Sequence, residues 1–295
     1  MEQSGERDVM QYRPLLFSIA YNMLGSIMDA EDIVQDTFTY WYNTDQSHVE
    51  NPKYYLIKAI TNRCINHLKE AQRNRETYVG TWLPEPLVEK QKTDRQAIQF
   101  DNRNELSIGF LYLLEKLNPL ERAVLILKES FDFPYSEIAQ IFDISQDNCR
   151  QLLSRAKAKL KQEKNRFNVD KQKHNQILHK FLQACVSGNM EELVSLLKED
   201  VAFYSDGGGK ASAALHPLFG REKVLKFISG ILKQTGPVSS IEIASVNGLS
   251  GAIIYIDKNN PVPDLLISLD VDEDDKIQNF YFIRNPDKLR HIAES

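Results

Sequence analysis

The chain has 295 residues, 42% of them apolar, and a formal charge of −5 at neutral pH. It is long enough to bury more than one core, and too acidic overall to hold nucleic acid tightly through phosphate contacts alone. The N-terminal stretch MEQSGERDVMQYRP has no apolar signal core, no apolar run approaches a membrane span, and Cys64, Cys149 and Cys185 show neither disulfide nor metal spacing; the pattern predicts a reduced, cytoplasmic protein with no membrane attachment and no cofactor.

Helices are predicted first. In DAEDIVQDTFTYWY, Ala30, Ile33, Val34, Phe38 and Trp41 recur at helical spacing, with Glu31, Asp32, Gln35 and Asp36 on the opposite face. In NPKYYLIKAITNRCINHLK, Leu56, Ile57, Ile60, Cys64 and Leu68 form an apolar stripe, with Asn51 as cap and Pro52 in the first turn. Residues 73–102 lose this periodicity. They carry WLPEPL, whose prolines Pro84 and Pro86 cannot continue a helix, and the polar run EKQKTDRQ, so they read as a linker.

The strongest local pattern is YSEIAQIFDISQDNCRQLLSRAKAKLK. Two helices that cross sharply need a small residue where they touch and apolar residues at fixed offsets. Ala139 supplies the first; Ile138, Phe142, Ile144, Cys149 and Leu152 supply the second. Asp143 takes the turn, where a left-handed conformation is tolerated, and Ser145 is placed to cap the second helix. That helix presents Asn148, Arg150, Gln151, Ser154, Arg155 and Lys157, and residues 147–164 hold six Lys/Arg against two acidic residues. Amides and guanidinium groups suit base edges, and lysines suit phosphates.

After about Phe167 come two helical stretches, HNQILHKFLQACVSG and MEELVSLLKED. Runs that read as strands follow: VAFYS, SSIEIASV, GAIIYID, DLLISLDV and KIQNFYFIR. Helices followed by a strand meander predict an α+β domain with a curved antiparallel sheet.

On these motifs the chain resembles the RNA polymerase sigma factors of the extracytoplasmic-function type. YRPLLFSIAYNMLGSIMDAEDIVQDTFTYW and NPKYYLIKAITNRCINHLK are similar to sigma region 2; LEKLNPLERAVLILKESFDFPYSEIAQIFDISQDNCRQLLSRAKAKLK resembles region 4. The linker WLPEPL, the loop SDGGGK and the late NPDKL resemble the SigJ-like subgroup, which carries a C-terminal SnoaL-like extension of the nuclear transport factor 2-like fold. The resemblance implies a multidomain chain. Residues 8–76 would be a region 2 helical bundle, 77–102 a linker, 103–165 a region 4 helix-turn-helix, and 172–292 an α+β SnoaL-like cone. It implies transcription initiation with core RNA polymerase and promoter DNA as partners, and no enzymatic activity.

By the same resemblance Asp32, Gln35 and Asp36 would dock on the β′ clamp, with region 4 on the β flap. Asn62, Asn66, Lys58, Arg63 and Tyr54 would meet the −10 element, helped by Lys69, Arg73 and Arg75. The loop of residues 45–51 would hold a flipped base. Asn148, Arg150, Gln151, Ser154, Arg155 and Lys157 would read the −35 element. Trp82 and Pro84, the loop Asp206, Gly207, Gly208, Gly209 and Lys210, and the tail Asn285, Pro286, Asp287, Lys288 and Leu289 would regulate the sigma core in cis. Leu152 departs from the basic residue of many relatives.

GGGK invites a nucleotide reading, but a P-loop needs glycine five residues before Gly209, where Tyr204 stands, and Ser or Thr after Lys210, where Ala211 stands. Tyr204, Asp206 and His216 are the residues a ketosteroid-isomerase chemistry would draw on, without a spacing that unites them. A small regulatory ligand in the C-terminal pocket and a stand-alone, ligand-sensing DNA-binding regulator are the other readings; two separate DNA-binding candidates in one chain favour the sigma factor.

Overall fold

The computed structural model describes residues 9–75, 77–89, 106–160, 170–234 and 238–294. It forms two compact units. One comprises residues 1–76, 96–106 and 113–162, the other residues 77–95, 107–112 and 163–295.

The first unit is helical. It contains α1 (Arg13–Leu24), α2 (Ile27–Tyr42) and α3 (Pro52–Arg75), then α5 (Pro119–Leu125), α6 (Tyr135–Phe142) and α7 (Gln146–Leu160). Leu16, Phe17, Ile19, Ala20 and Met23 of α1 are fully buried, as are Leu56, Ile57, Ile60 and Cys64 of α3. Each such large apolar side chain contributes roughly 1.5–3 kcal/mol. The helix starts follow the sequence. Ser26 caps α2 by accepting from Asp29 N, and Asn51 caps α3 by accepting from Tyr54 N at 3.2 Å. Asn118 and Glu121 form a capping box at the start of α5.

Arg122 of α5 is buried, and its guanidinium makes four hydrogen bonds among the described residues. Nη1 donates to Met23 O at 2.7 Å, Nε and Nη2 donate to Leu114 O, and Nη2 donates to Glu115 at 2.8 Å. Burial pulls the guanidinium down to about 9. The helices on either side of the linker are thus joined through one desolvated cation.

Among the described residues, the second unit is built on a seven-stranded sheet in the order β1-β4-β5-β6-β7-β2-β3. The strands are β1 (Val88–Glu89), β2 (Leu197–Asp206), β3 (Leu218–Phe219), β4 (Ser240–Val246), β5 (Leu249–Tyr255), β6 (Leu265–Val271) and β7 (Ile277–Ile283). Alternate residues feed two cores, since successive side chains on a strand point to opposite faces. Phe203, Leu269, Phe280 and Phe282 face α8 (Lys171–Ser187), α9 (Met190–Leu196) and α10 (Arg221–Gln234). Leu266, Tyr281 and Ile283 face Leu83 of the linker, Ile108 of α4 (Ile108–Leu113), and Leu289 and Ile292 of α11 (Pro286–Glu294).

Two sequence expectations are corrected. The sheet is mixed, because β2 runs parallel to β7 while the other pairs are antiparallel. LKED, read as the end of a helix, opens β2: Leu197 is buried beside Ile277, and that tertiary contact overrides local helical propensity. Within the stretch read as a linker, Val88 and Glu89 pair with Val246 and Ser245 of β4. Phe142 and Ile144 are only half-buried in the helix-turn-helix, whereas Leu152 is 6% exposed.

Candidate functional site

The two helices α6 and α7 meet as the sequence predicts. Ala139 is buried, Asp143 sits at φ 55° and ψ 45° in the left-handed region, and Ser145 Oγ accepts from Asn148 N at 3.1 Å. Cys149, Leu152, Leu153 and Ala156 bury one stripe of α7. That leaves Arg150, Gln151, Ser154, Arg155 and Lys157 exposed along the other side, with Asn148 half-buried. Arg150 is held by Asp147 at 2.6 Å and lies 5.1 Å over the Tyr135 ring; Lys157 pairs with Glu129 at 2.8 Å. Exposed pairs of this kind are worth up to about 1 kcal/mol, so either side chain is released from its partner at little cost. Lys161 and Lys164 lie outside the described residues.

On α2, Asp32, Gln35 and Asp36 are exposed on a single face while Ile33, Val34 and Thr37 are buried. On α3, Asn62 and Asn66 are exposed four residues apart, on one face. Lys58 reaches Asp143 at 3.5 Å, so a candidate −10 contact touches the helix-turn-helix turn. Arg63 stacks 5.5 Å over the Tyr40 ring. Tyr54 is half-buried, and Tyr55 packs edge-on to Trp41. The side chains of Arg73 and Arg75 lie outside the described residues.

The second site is a polar knot within the sheet-bearing unit. Asp206, at the end of β2, is 0% exposed. Its Oδ1 accepts from Tyr78 OH at 2.6 Å and Gly208 N at 3.0 Å; its Oδ2 accepts from Leu83 N at 2.9 Å and Lys288 Nζ at 2.7 Å. A carboxylate offers about four lone-pair positions, and all are filled. Lys288 Nζ also donates to Leu83 O and lies 4.2 Å over the Trp82 ring. Asn285 Nδ2 donates to Tyr78 OH at 3.0 Å. Burial, followed by the Asp206 carboxylate, pushes the Tyr78 phenol well above its ordinary value.

The glycines make this approach possible. Gly208 has φ 57°, and a Cβ there would lie 2.3 Å from Asn285 Nδ2. Gly207 is buried at the turn, where its carbonyl accepts from Lys210 N, and Gly209 lies against Val79. Lys210 closes the loop on Asp287 at 2.5 Å. Pro286 starts α11, and Leu289 is fully buried. Further along the linker, Pro84, Glu85 and Pro86 are buried, His291 Nε2 donates to Pro86 O, and Leu87 exchanges two hydrogen bonds with Asn247. Sequence reasoning named the three motifs but missed Tyr78, Asn247 and His291, none of which carries a local signal.

The chemistry sought in Tyr204, Asp206 and His216 does not assemble. Asp206 has no lone pair left for a base, Tyr204 stacks on Tyr281, and His216 is exposed. A cavity of about 280 Å³ borders the knot, with Arg284, Arg290, Asp264 and Pro286 in its wall.

Residues 9–74 match the Sigma-70 region 2 family and residues 109–160 the Sigma-70 region 4 family. The ECF RNA polymerase sigma factor SigJ of Mycobacterium tuberculosis is 31% identical over 284 residues, covering 94% of this chain and 90% of that one. The chain belongs to the extracytoplasmic-function RNA polymerase sigma factors. The crystal structure of Mycobacterium tuberculosis SigJ aligns with this sigma factor at a TM-score of 0.77 and 30% identity, over 98% of each chain. The Probable ECF RNA polymerase sigma factor SigI of the same species is 28% identical over 193 residues, 65% of this sigma factor and 66% of its relative. This sigma factor is therefore a promoter-directing subunit for core RNA polymerase, and not an enzyme. The family match covers both DNA-binding candidates, which sets aside the stand-alone regulator. Among the described residues no helix is long and apolar enough to cross a membrane.

Proposed function

We propose that this sigma factor directs core polymerase to its promoters under control of its own C-terminal domain, acting in the cytoplasm. The observation that carries the reading is Asp206. Its carboxylate gathers donors from the linker, the glycine loop and the C-terminal helix, so one buried anion holds the linker between regions 2 and 4 (residues 77–102, between domains at 8–76 and 103–165) on the domain at 172–292. A linker tied down in this way restricts the arrangements that the two DNA-reading regions adopt.

In this reading Asp32, Gln35 and Asp36 meet the basic β′ clamp, and region 4 meets the β flap. Asn62, Asn66, Lys58, Arg63 and Tyr54 face the −10 element, while α7 reads the −35 element through Asn148, Arg150, Gln151, Ser154, Arg155 and Lys157. The overall charge of −5 suits a factor whose polymerase supplies much of the DNA affinity. The cavity beside Arg284 and Arg290 is where a small regulatory ligand would act on the knot.

The test is reconstituted transcription with core polymerase. It compares the intact chain, the Asp206→Ala/Lys210→Ala double variant, and a chain ending after Asn168. Promoter-dependent output that shifts with the double variant and the truncation supports control in cis. Output and linker protease sensitivity that stay level across all three overturn it.

A further inference from the structure

A second contact of the C-terminal domain lies away from the linker knot. Ser107–Tyr112 belong to the sheet-bearing unit, while Leu113–Gln162 belong to the other. The region 4 match begins at residue 109, so the opening turn of the DNA-reading region is packed as part of the C-terminal domain.

The socket that takes it is built for it. Asp270, on β6, is 7% exposed and accepts from Tyr281 OH at 2.8 Å and Asn279 Nδ2 at 3.1 Å. Gly109 is pressed onto this cluster: a Cβ there would lie 2.6 Å and 2.8 Å from the two Asp270 oxygens and 2.7 Å from Tyr281 OH. Asp270 is short and Tyr281 is fully buried, so neither can swing clear. Tyr112 packs on Tyr204 at 4.9 Å and on Tyr281 at 6.3 Å, and Ile108 is fully buried among Leu266, Tyr281 and Ile283. The carboxylate therefore lies against Gly109 in the first turn of α4, which Ser107 caps by accepting from Phe110 N at 3.2 Å.

We propose that the sheet face around Asp270, Tyr281 and Tyr204 is a receptor for the opening helix of region 4. It is a hold separate from the knot, and through it the C-terminal domain acts on the −35-reading region itself. Its effect on transcription rests on the cis-control reading; the docking does not.

Hydrogen exchange of the full-length chain decides the docking, because Gly109→Ala gives opposite signs for the two explanations. Alanine favours an undocked helix over glycine, so protection that came from helicity alone would increase. If the socket protects α4, the added methyl expels it, and exchange across residues 107–112 rises roughly tenfold or more. Tyr112→Ala produces the same rise without crowding and serves if Gly109→Ala fails to fold. In both variants the Leu83 amide, bonded to Asp206, stays protected. Unchanged or slower exchange at 107–112, or equal loss at Leu83, overturns the proposal. Transcription measured in parallel reports on cis control, so the two readings fail separately.

Discussion

Replacing Asp206 by asparagine is the sharpest perturbation of the knot, because it keeps the volume and removes the charge. Asparagine has one acceptor oxygen, so at least two of the four donors lose their partner and face an amide N–H₂ instead. Lys288, whose side chain is 12% exposed, keeps its cation but loses the carboxylate. Breaking a buried pair by removing one partner costs about 3–5 kcal/mol. For a unit of this size that lowers the melting temperature by roughly 6–20 °C. Thermal unfolding should be followed through Trp82, whose ring lies under Lys288, with Trp41→Phe as background. Alongside the loss, the Tyr78 phenol should titrate closer to its ordinary value of 10, since the carboxylate is one cause of its upward shift and burial is the other. Combining Asp206→Asn with Lys288→Met should recover much of the loss, because no unpaired charge then remains. A loss under about 1 kcal/mol, with Tyr78 unmoved, would mean that the pair behaves as a surface contact and the reasoning fails.

Three further outcomes are expected. His174 is buried with Nε2 donating to Leu269 O at 2.9 Å and Nδ1 without a hydrogen-bond partner among the described residues, and burial lowers its pKa from 6.5. The unfolded chain then binds the extra proton, so the contribution of neutral His174 is complete above pH 6.5 and fades as pH falls below it; His174→Gln should flatten this slope in unfolding measured from pH 5 to 8. Asp143→Val puts a β-branched residue at φ 55° and should destabilise the helix-turn-helix by about 1–2 kcal/mol in thermal melts. Arg155→Ala and Gln151→Ala should each weaken transcription from matched promoters by about 1–3 kcal/mol and relax the preference at one −35 position; uniform loss across all promoter variants would assign them to phosphates instead.

The helix-turn-helix was legible because its signals are local: a small residue at the crossing, a left-handed Asp143, a capping Ser145 and an apolar stripe. Each acts within one or two turns of its own position. The sheet-bearing domain was legible in its strands but not in its pairing. Alternation in VAFYS and NFYFI marks strands, yet nothing in either states that they run parallel. Strand β1 has two residues and no period to detect; it exists because β4 offers an edge to it. Asp206 stood out only through the unusual glycines beside it, and its partners Tyr78 and Lys288 lie 128 and 82 residues away. Nothing beside Gly109 in the sequence marks it, because what demands a glycine there is a carboxylate from β6.

Strand β1 has a cost attached to its removal. It lies outside β4 and pairs with that strand's final residues. If the linker leaves, the outer edge of β4 is bared at Ser245 and Val246, extending the border that strand already presents along Ser240–Ala244 among the described residues. Such a border pairs with whatever strand it meets, including the same strand in another copy of the chain. Loss of the β1 pairing should therefore lengthen the edge open to self-pairing by those two residues, which light scattering against concentration would register.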